Sequence, residues 1–395
     1  MARGMNTGSF FFTQHEAGDS RVVEIDGIRV GDSADCYVIA EIGHNHQGSL
    51  DQAFELFQQA RACGANAVKL QKRHNRSLYT REFFNRPYEN KNSFGATYGE
   101  HREALEFDEA EYLELKAYAE SVGITFFATA FDFQSADMLA GLEMPAYKVA
   151  SGDLTNTPLL RYVAEIGKPV IFSTGGGTID DVRRAYETVI EVNEQVAIMQ
   201  CTAGYPADWE ELDLRVIETY RDLFPEVVVG FSGHDNGIAM ATVAYVLGAR
   251  IVEKHFTLNR AAKGTDHPFS LEVSGLSKLV RDLRRTRVAL GDGMKSMYPS
   301  ESEPVTKMAK KLVAARDLAP GHVLRREDVA LKSPGDGIPP YELEKVLGRV
   351  VRRPVDEDAS LTYEHLEDVV PERAPSLEEF LTEAAHASAE ADTGP

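Results

Sequence analysis

Residue types that can hold an anion and a cation recur at the ends of short apolar runs in this chain. Lys69 and Gln71 alternate on one side of the run 67–71; Lys148 sits in 146–150 and is followed by Ser151 and Asp153. Glu41 ends 37–41, Thr129 ends 124–129 and Ser173 ends 169–173. Thr202 and Tyr205 follow 196–201; Ser232 ends 227–232 and is followed by His234; Glu253 and His255 close 251–255. A single serine or threonine at a strand end is ordinarily a helix cap, and a single histidine is ordinarily a hydrogen-bonded structural group. Convergence changes that reading. A buried lysine is costly unless an anion neutralises it, so Lys69 and Lys148, with hydroxyls from Ser151, Ser173 and Ser232, suggest a cradle for phosphate and carboxylate. The competing reading pairs the same lysines with Glu41 and Glu253. His234 and His255 would end adjacent strands and could share one cation, with Glu41 or Asp266 and waters completing the shell. That donor set suits Mn, Fe, Zn or Co better than Ca or Mg. The same two histidines could instead divide into one general base and one structural group.

Something must bring these ends together. The eight apolar runs alternate with amphipathic segments, read as helices over 50–63, 108–122, 180–191 and 273–290. Repeated βα units of this kind predict a (β/α)8 barrel, in which the reacting groups gather at the carboxyl ends of the strands. No glycine-rich dinucleotide turn follows the first strand, which argues against an open doubly wound sheet. The barrel is expected over 36–290, after an amino-terminal extension at 1–35. Residues 72–107, with Tyr79, Arg81, Arg86, Tyr88 and Asn90, form a connection long enough to be a lid. A linker is expected at 291–309 and a small β-rich domain at 310–368, with strands at 312–315, 329–332 and 350–353. An acidic, alanine-rich tail at 369–395 is expected to be disordered.

With 395 residues and 43% hydrophobic composition, the chain can bury a core of barrel size and a second, smaller one. A formal net charge of -20 argues against nucleic acid or an anionic membrane as a partner, so an anionic substrate needs a locally basic site. Cys36, Cys63 and Cys201 are too few and too scattered for a disulfide framework. No apolar run approaches the length of a membrane span, and a cytoplasmic protein is expected.

The segments Val38-Ile-Ala-Glu41-Ile-Gly-His-Asn-His-Gln-Gly48, Ala67-Val-Lys69-Leu-Gln71 and Tyr147-Lys148-Val-Ala-Ser151-Gly-Asp153 resemble, in order, motifs of the N-acetylneuraminate (sialic acid) synthase family. So do Lys168-Pro-Val-Ile-Phe-Ser173-Thr-Gly175, Gln200-Cys-Thr-Ala-Gly-Tyr205-Pro206 and Glu253-Lys-His255-Phe-Thr257, while 311–348 resembles the antifreeze-like SAF domain that follows the barrel in that family. The resemblance implies a (β/α)8 TIM barrel with a small SAF domain, condensing phosphoenolpyruvate with an N-acylated hexosamine to a nine-carbon 2-keto acid. It implies phosphoenolpyruvate on Lys69, Thr129, Lys148, Ser151, Ser173 and Ser232, and sugar on Gln71, Tyr205 and Asp266. Glu41, Asp153 and Tyr205 would stand at the reacting carbons. A divalent metal, commonly Mn2+ with Mg2+ or Co2+ as alternatives, would bind His234 and His255. A homodimer with swapped small domains is implied, bringing Lys332 and Ser333 to the sugar.

Three positions depart from the family pattern. Gly233 replaces an aspartate before the first metal-binding histidine, Ala203 replaces a polar residue, and Ser333 replaces an arginine that reaches the sugar's acyl group. Two other activities remain open: a metal-dependent sugar hydrolase, and a synthase for phosphorylated sugars. The second would require an additional basic cluster, and none stands out in the sequence. A non-catalytic carbohydrate-binding role is a further alternative.

Overall fold

The computed structural model describes residues 21–367. The acidic tail expected at 369–395 lies outside the described residues, as do the first twenty. The described chain divides at Asp292/Gly293 into two compact units.

The first unit opens with a hairpin of β1 (Val22–Ile25) and β2 (Ile28–Gly31), turned through Asp26 and Gly27 with both φ angles positive, 52° and 72°. Then come the eight strands of a closed, all-parallel barrel: β3 (Tyr37–Gly43), β4 (Ala67–Lys72), β5 (Thr125–Ala130), β6 (Tyr147–Val149), β7 (Val170–Ser173), β8 (Val196–Cys201), β9 (Val228–Gly233) and β10 (Ile251–His255). Closure is made by β10 pairing with β3, so His255 stands beside Glu41 in register. The strands are apolar on both faces because side chains on one face fill the barrel while those on the other pack against the helices.

Helices Leu50–Ala62, Glu109–Val122, Ile179–Ile190 and Val273–Leu290 lie where the sequence predicts them, to within two residues. Their starts are chemically marked. Ser49 caps the first, and Asp108 and Thr178 form reciprocal capping boxes with Glu111 and Asp181. Four shorter helices complete the βα units and were not anticipated: Phe133–Gly141, Thr157–Glu165, Val216–Leu223 and Ala239–Val246.

The hairpin, expected only as an extension, is part of the barrel's core. Val23, Ile25 and Val30 are buried in one cluster with Tyr37, Phe127, Ile171, Ala197, Val228 and Ile251, so they stopper the amino-terminal end of the barrel. Asp32 fastens the hairpin by ion pairs to Arg221 (2.9 Å) and Arg250 (2.8 Å).

The connection 73–108 is not featureless. It carries helices Asn75–Leu78, Arg81–Phe84 and Tyr98–Glu103, held by ring contacts among Tyr79, Phe83, Tyr88, Tyr98 and His101.

In the second unit, β11 (Lys311–Ala314) pairs antiparallel with β12 (Val329–Lys332) over a core that includes Leu312, Leu324, Val346, Val351 and Leu361. The expected third strand at 350–353 is reduced to isolated bridges at Val350 and Val351. The segment expected as linker contains a short helix, Ser302–Met308. Buried Asp328 is the polar centre of this unit, accepting hydrogen bonds from Arg316 Nε (2.8 Å) and the Arg325 amide (2.8 Å), with His322 Nε2 at 2.6 Å.

Candidate active site

At the carboxyl ends of the strands lies a cavity of about 520 Å3. Its floor and walls include Glu41, Lys69, Gln71, Thr129, Lys148, Ser151, Ser173, Tyr205, Ser232, Glu253, His234, His255 and Asp266. Thus the structure gathers the strand-end residues singled out in the first unit, except Asp153 and Thr202, whose hydroxyl donates to the Glu211 carbonyl at 2.8 Å. Asp153 ends the turn Ser151–Asp153, where its carboxylate accepts from Asn156 Nδ2 at 3.0 Å, and it does not line the cavity. Lys332 and Ser333 belong to the second unit. Lys332 is ion-paired with Asp358, and Ser333 Oγ accepts from Lys310 Nζ at 2.6 Å.

The two lysines differ. Lys69 Nζ meets Glu41 Oε2 at 2.6 Å, Glu253 Oε1 at 3.7 Å and Thr129 Oγ1 at 2.9 Å, so carboxylates hold it. Lys148 has no carboxylate partner among the described residues; its Nζ donates to Ser173 Oγ at 2.6 Å and to the Val149 carbonyl at 3.0 Å. Burial pulls Lys148 down to about 8, against the attraction of Glu253. Burial alone would raise Glu253 as well, but Lys69 and Lys148 outweigh it and the carboxyl is lowered. Glu41 goes the other way. Burial pushes it up to about 7, opposed by Lys69 and reinforced by Glu253. A carboxyl that can change charge near neutrality, beside the Lys69 ammonium, is equipped for proton transfer.

Backbone shape serves the cradle. The Gly175 amide donates to Ser151 Oγ at 3.0 Å, and a Cβ at Gly175 would lie 2.9 Å from both that oxygen and the Ala203 Cβ, so only glycine permits the approach. Gly233 has a similar explanation. A Cβ there would stand 2.5 Å from the Phe231 ring, leaving no room for an aspartate. The nearby carboxylate is Asp235, wholly buried and bound to Lys254 Nζ at 2.8 Å, which ties the backbone after β9 to β10.

His234 and His255 face each other with ring centroids 5.4 Å apart, and the Tyr205 ring packs on His234 at 4.2 Å. His234 Nδ1 lies 2.8 Å from the Thr202 carbonyl, so it carries the proton and leaves Nε2 with a free lone pair. His255 Nδ1 is buried without a hydrogen-bond partner, 3.6 Å from Asp266 Oδ2. Two donors about 2.1 Å from one cation stand about 3.4 Å apart in tetrahedral geometry, so that separation suits two ligands of one ion. Among the described residues no group of three or more His, Cys, Asp or Glu side chains comes together as a complete metal cage. A cation held here would therefore take further ligands from water or substrate.

Further cavity residues escaped the sequence reading. Arg73 and Arg102 line its mouth together with His44 and Phe131. The arginines noted in the long connection, Arg81 and Arg86, are exposed instead. Arg73 lies four residues beyond Lys69 on the same strand face, a signal the alternation contained. Arg102 had none, because it reaches the site only through the fold of the long connection.

A parallel barrel with buried lysines, hydroxyls and a histidine pair at its mouth is an enzyme's architecture. Residues 56–295 match the NeuB family and 311–367 the SAF domain. The chain belongs to the NeuB family and is a synthase of that family. It is 39% identical over 336 residues to the N-acetylneuraminate-9-phosphate synthase of Homo sapiens, covering 85% of this chain and 94% of that protein. It is 35% identical over 353 residues to the N,N'-diacetyllegionaminic acid synthase of Legionella pneumophila, covering 87% and 98%. The crystal structure of N-acetylneuraminic acid (sialic acid) synthetase from Leptospira borgpetersenii in complex with citrate superposes with a TM-score of 0.64 at 30% identity, covering 73% of this chain and 96% of that one. Among the described residues no helix is long and apolar enough to cross a membrane.

Proposed function

We propose that this chain condenses phosphoenolpyruvate with the open-chain aldehyde of an N-acylated hexosamine, N-acetylmannosamine or a related sugar, giving a nine-carbon 2-keto acid and inorganic phosphate. The observation that carries the reading is the buried meeting of Lys69 and Lys148 with the hydroxyls of Thr129 and Ser173, in a cavity that also holds the His234–His255 pair. An acidic protein has concentrated positive charge and hydroxyl donors where a small trianion would lie.

Lys69 and Lys148 would neutralise phosphoenolpyruvate, and Ser151, Ser173 and Ser232 would orient it. Gln71, Tyr205 and Asp266 would hold the sugar with its aldehyde above the phosphoenolpyruvate C3. That carbon attacks the aldehyde carbon, water adds at C2, and the bond from C2 to the bridging oxygen breaks so that phosphate departs. Glu41, poised near neutrality, would take the proton of the attacking water, and the alkoxide left on the former aldehyde oxygen would be protonated from solvent to the product hydroxyl. A divalent metal on His234 and His255, Mn2+ in the first instance, would supply Lewis-acid polarisation of the aldehyde. Asp153, outside the cavity wall, would act only through Asn156, from whose Nδ2 its carboxylate accepts at 3.0 Å. The working form would be a homodimer in the cytoplasm, where the small unit of one copy brings Lys332 and Ser333 to the sugar of the other.

The named relatives differ in product, so they leave the sugar open. The test is to incubate the enzyme with phosphoenolpyruvate, Mn2+ and a panel of N-acylated hexosamines and to follow phosphate release and the 2-keto acid. Phosphoenolpyruvate labelled with 18O at the bridging position should pass its label to phosphate. Label retained in the organic product, or no phosphate release with any sugar, would defeat the proposal.

A further inference from the structure

We infer that the buried pair Lys254–Asp235 is a positioning device: it fixes the backbone of His234 against β10 and so sets the separation at which His234 and His255 meet one cation. The inference rests on the metal site of the proposed function and gives a role to two residues that lie outside the cavity.

His255 is held by the barrel itself. It stands opposite Glu41 in the β10–β3 register, the Phe256 amide donates to the Glu41 carbonyl at 2.8 Å, and the His255 carbonyl accepts from the Leu271 amide at 2.7 Å. His234 is placed differently. The register of β9 with β10 ends at Gly233 opposite Lys254, one residue short of the histidine. Beyond that point the Lys254 side chain takes over from the ladder. Its Nζ donates to the Asp235 carbonyl at 2.6 Å and to Asp235 Oδ1 at 2.8 Å, gripping one residue by main chain and side chain together. The His234 ring is fixed separately, with Nδ1 2.8 Å from the Thr202 carbonyl. With backbone and ring both held, Nε2 keeps one direction.

The pair is poorly suited to a purely stabilising role. Lys254 and Asp235 are 1% and 0% exposed, and withdrawing two charges from water costs about as much as their attraction returns. Asp235 Oδ2 adds to that cost, because it is buried with no hydrogen-bond partner among the described residues. Apolar side chains of similar volume would fill the space at less cost, yet none could hold a main-chain carbonyl. What the charges contribute is a fixed backbone.

Its direction of action follows from alternation along β10. Glu253 and His255 line the cavity, so Lys254 points to the helix-facing side and works from behind the histidines. Gly233 makes room for it. A Cβ there would lie 2.9 Å from Asp235 Oδ1 as well as against the Phe231 ring, so the carboxylate folds back over a bare Cα. The carboxylate missing from position 233 is thereby present at 235, on the other side of the histidine.

The test uses the full chain carrying Asp235→Asn and Lys254→Met together, which removes both charges and keeps most of the volume, with folding checked by Tm. Titration with Mn2+, followed by loss of the free ion's paramagnetic resonance signal, should give a Kd raised about tenfold or more. The Kd for phosphoenolpyruvate, from calorimetry on metal-free protein, should stay within about twofold, since Lys69 and Lys148 lie on other strands. Loaded with Co2+, the variant should show an altered visible absorption band, because the ligand geometry has moved. Lys254→Arg, which keeps a charged donor, should bind Mn2+ more tightly than the double variant. If the double variant does not fold, Asp235→Asn alone, which keeps the shape and the carbonyl contact, is titrated in its place, with Mn2+ binding weaker by about threefold. A folded variant with wild-type Mn2+ affinity and the wild-type Co2+ spectrum overturns the inference and leaves the metal site intact. Equal weakening of Mn2+ and phosphoenolpyruvate marks general damage and overturns it too. Wild-type protein that binds no Mn2+ overturns the metal site and the inference together.

Discussion

Lys69 Nζ sits 2.6 Å from Glu41 Oε2, both side chains almost wholly withdrawn from solvent. The pair puts the charge of the cradle under the control of one proton. With Glu41 pushed up to about 7, lowering the pH through that value protonates it and leaves more net positive charge around the ligand; raising the pH adds a negative charge beside it. Phosphoenolpyruvate should therefore bind with proton uptake near pH 7, and more weakly as the pH rises. Calorimetry in two buffers of different ionisation enthalpy measures the uptake. If Glu41→Gln shows the same uptake and slope as the wild type, Glu41 is not the titrating group.

Replacing the two lysines should separate binding from stability. Lys148→Met and Lys69→Met should each raise the KM for phosphoenolpyruvate by tenfold or more, about 1.4 kcal/mol. Lys69→Met also strands Glu41 and Glu253, so it should lose about 3 kcal/mol of unfolding free energy above pH 7, whereas Lys148→Met, with no carboxylate partner, should lose much less. Denaturant titrations of the two variants at pH 8 give the comparison; equal losses would contradict the pairing.

Chelation should stop condensation while phosphoenolpyruvate binding stays measurable, because Lys69 and Lys148 belong to the protein and not to the metal. His234→Ala and His255→Ala should each weaken Mn2+ binding by about tenfold or more in a direct titration. Full turnover by the chelated protein would remove the metal from the mechanism.

For the small unit, a chain ended after residue 306 should keep phosphoenolpyruvate binding and lose most sugar turnover. Ser333→Arg should shift the preference among acylated hexosamines towards N-acetylmannosamine, by about 1–3 kcal/mol in the ratio of specificity constants. Full activity of the shortened chain would place the sugar site wholly within the barrel.

The barrel was legible because its strands are short apolar runs whose last residues are polar, a pattern that both marks the strand and aims its end group. The histidine pair and the lysines were found this way. Helices such as Ala239–Val246 were not, because this one is apolar almost throughout and has no polar face to set a period. The hairpin carries a readable signal, Asp26-Gly27 between Val22–Ile25 and Ile28–Gly31. Arg102 could not have been read. It lies 29 residues from Arg73, and only the packing of tyrosines in the connection brings the two to one imidazole.

The stopper formed by Val23, Ile25 and Val30 has a consequence for the order of assembly. These residues precede every barrel strand in the chain, yet their seat is made by strands that run as far as Ile251. The hairpin must wait for nearly the whole barrel before it can bury its apolar face, a long-range closure that slows folding. Its amide protons should then exchange with solvent only when the ring of strands itself opens, which makes the hairpin a reporter of the barrel's unfolding at the end of the barrel opposite the chemistry.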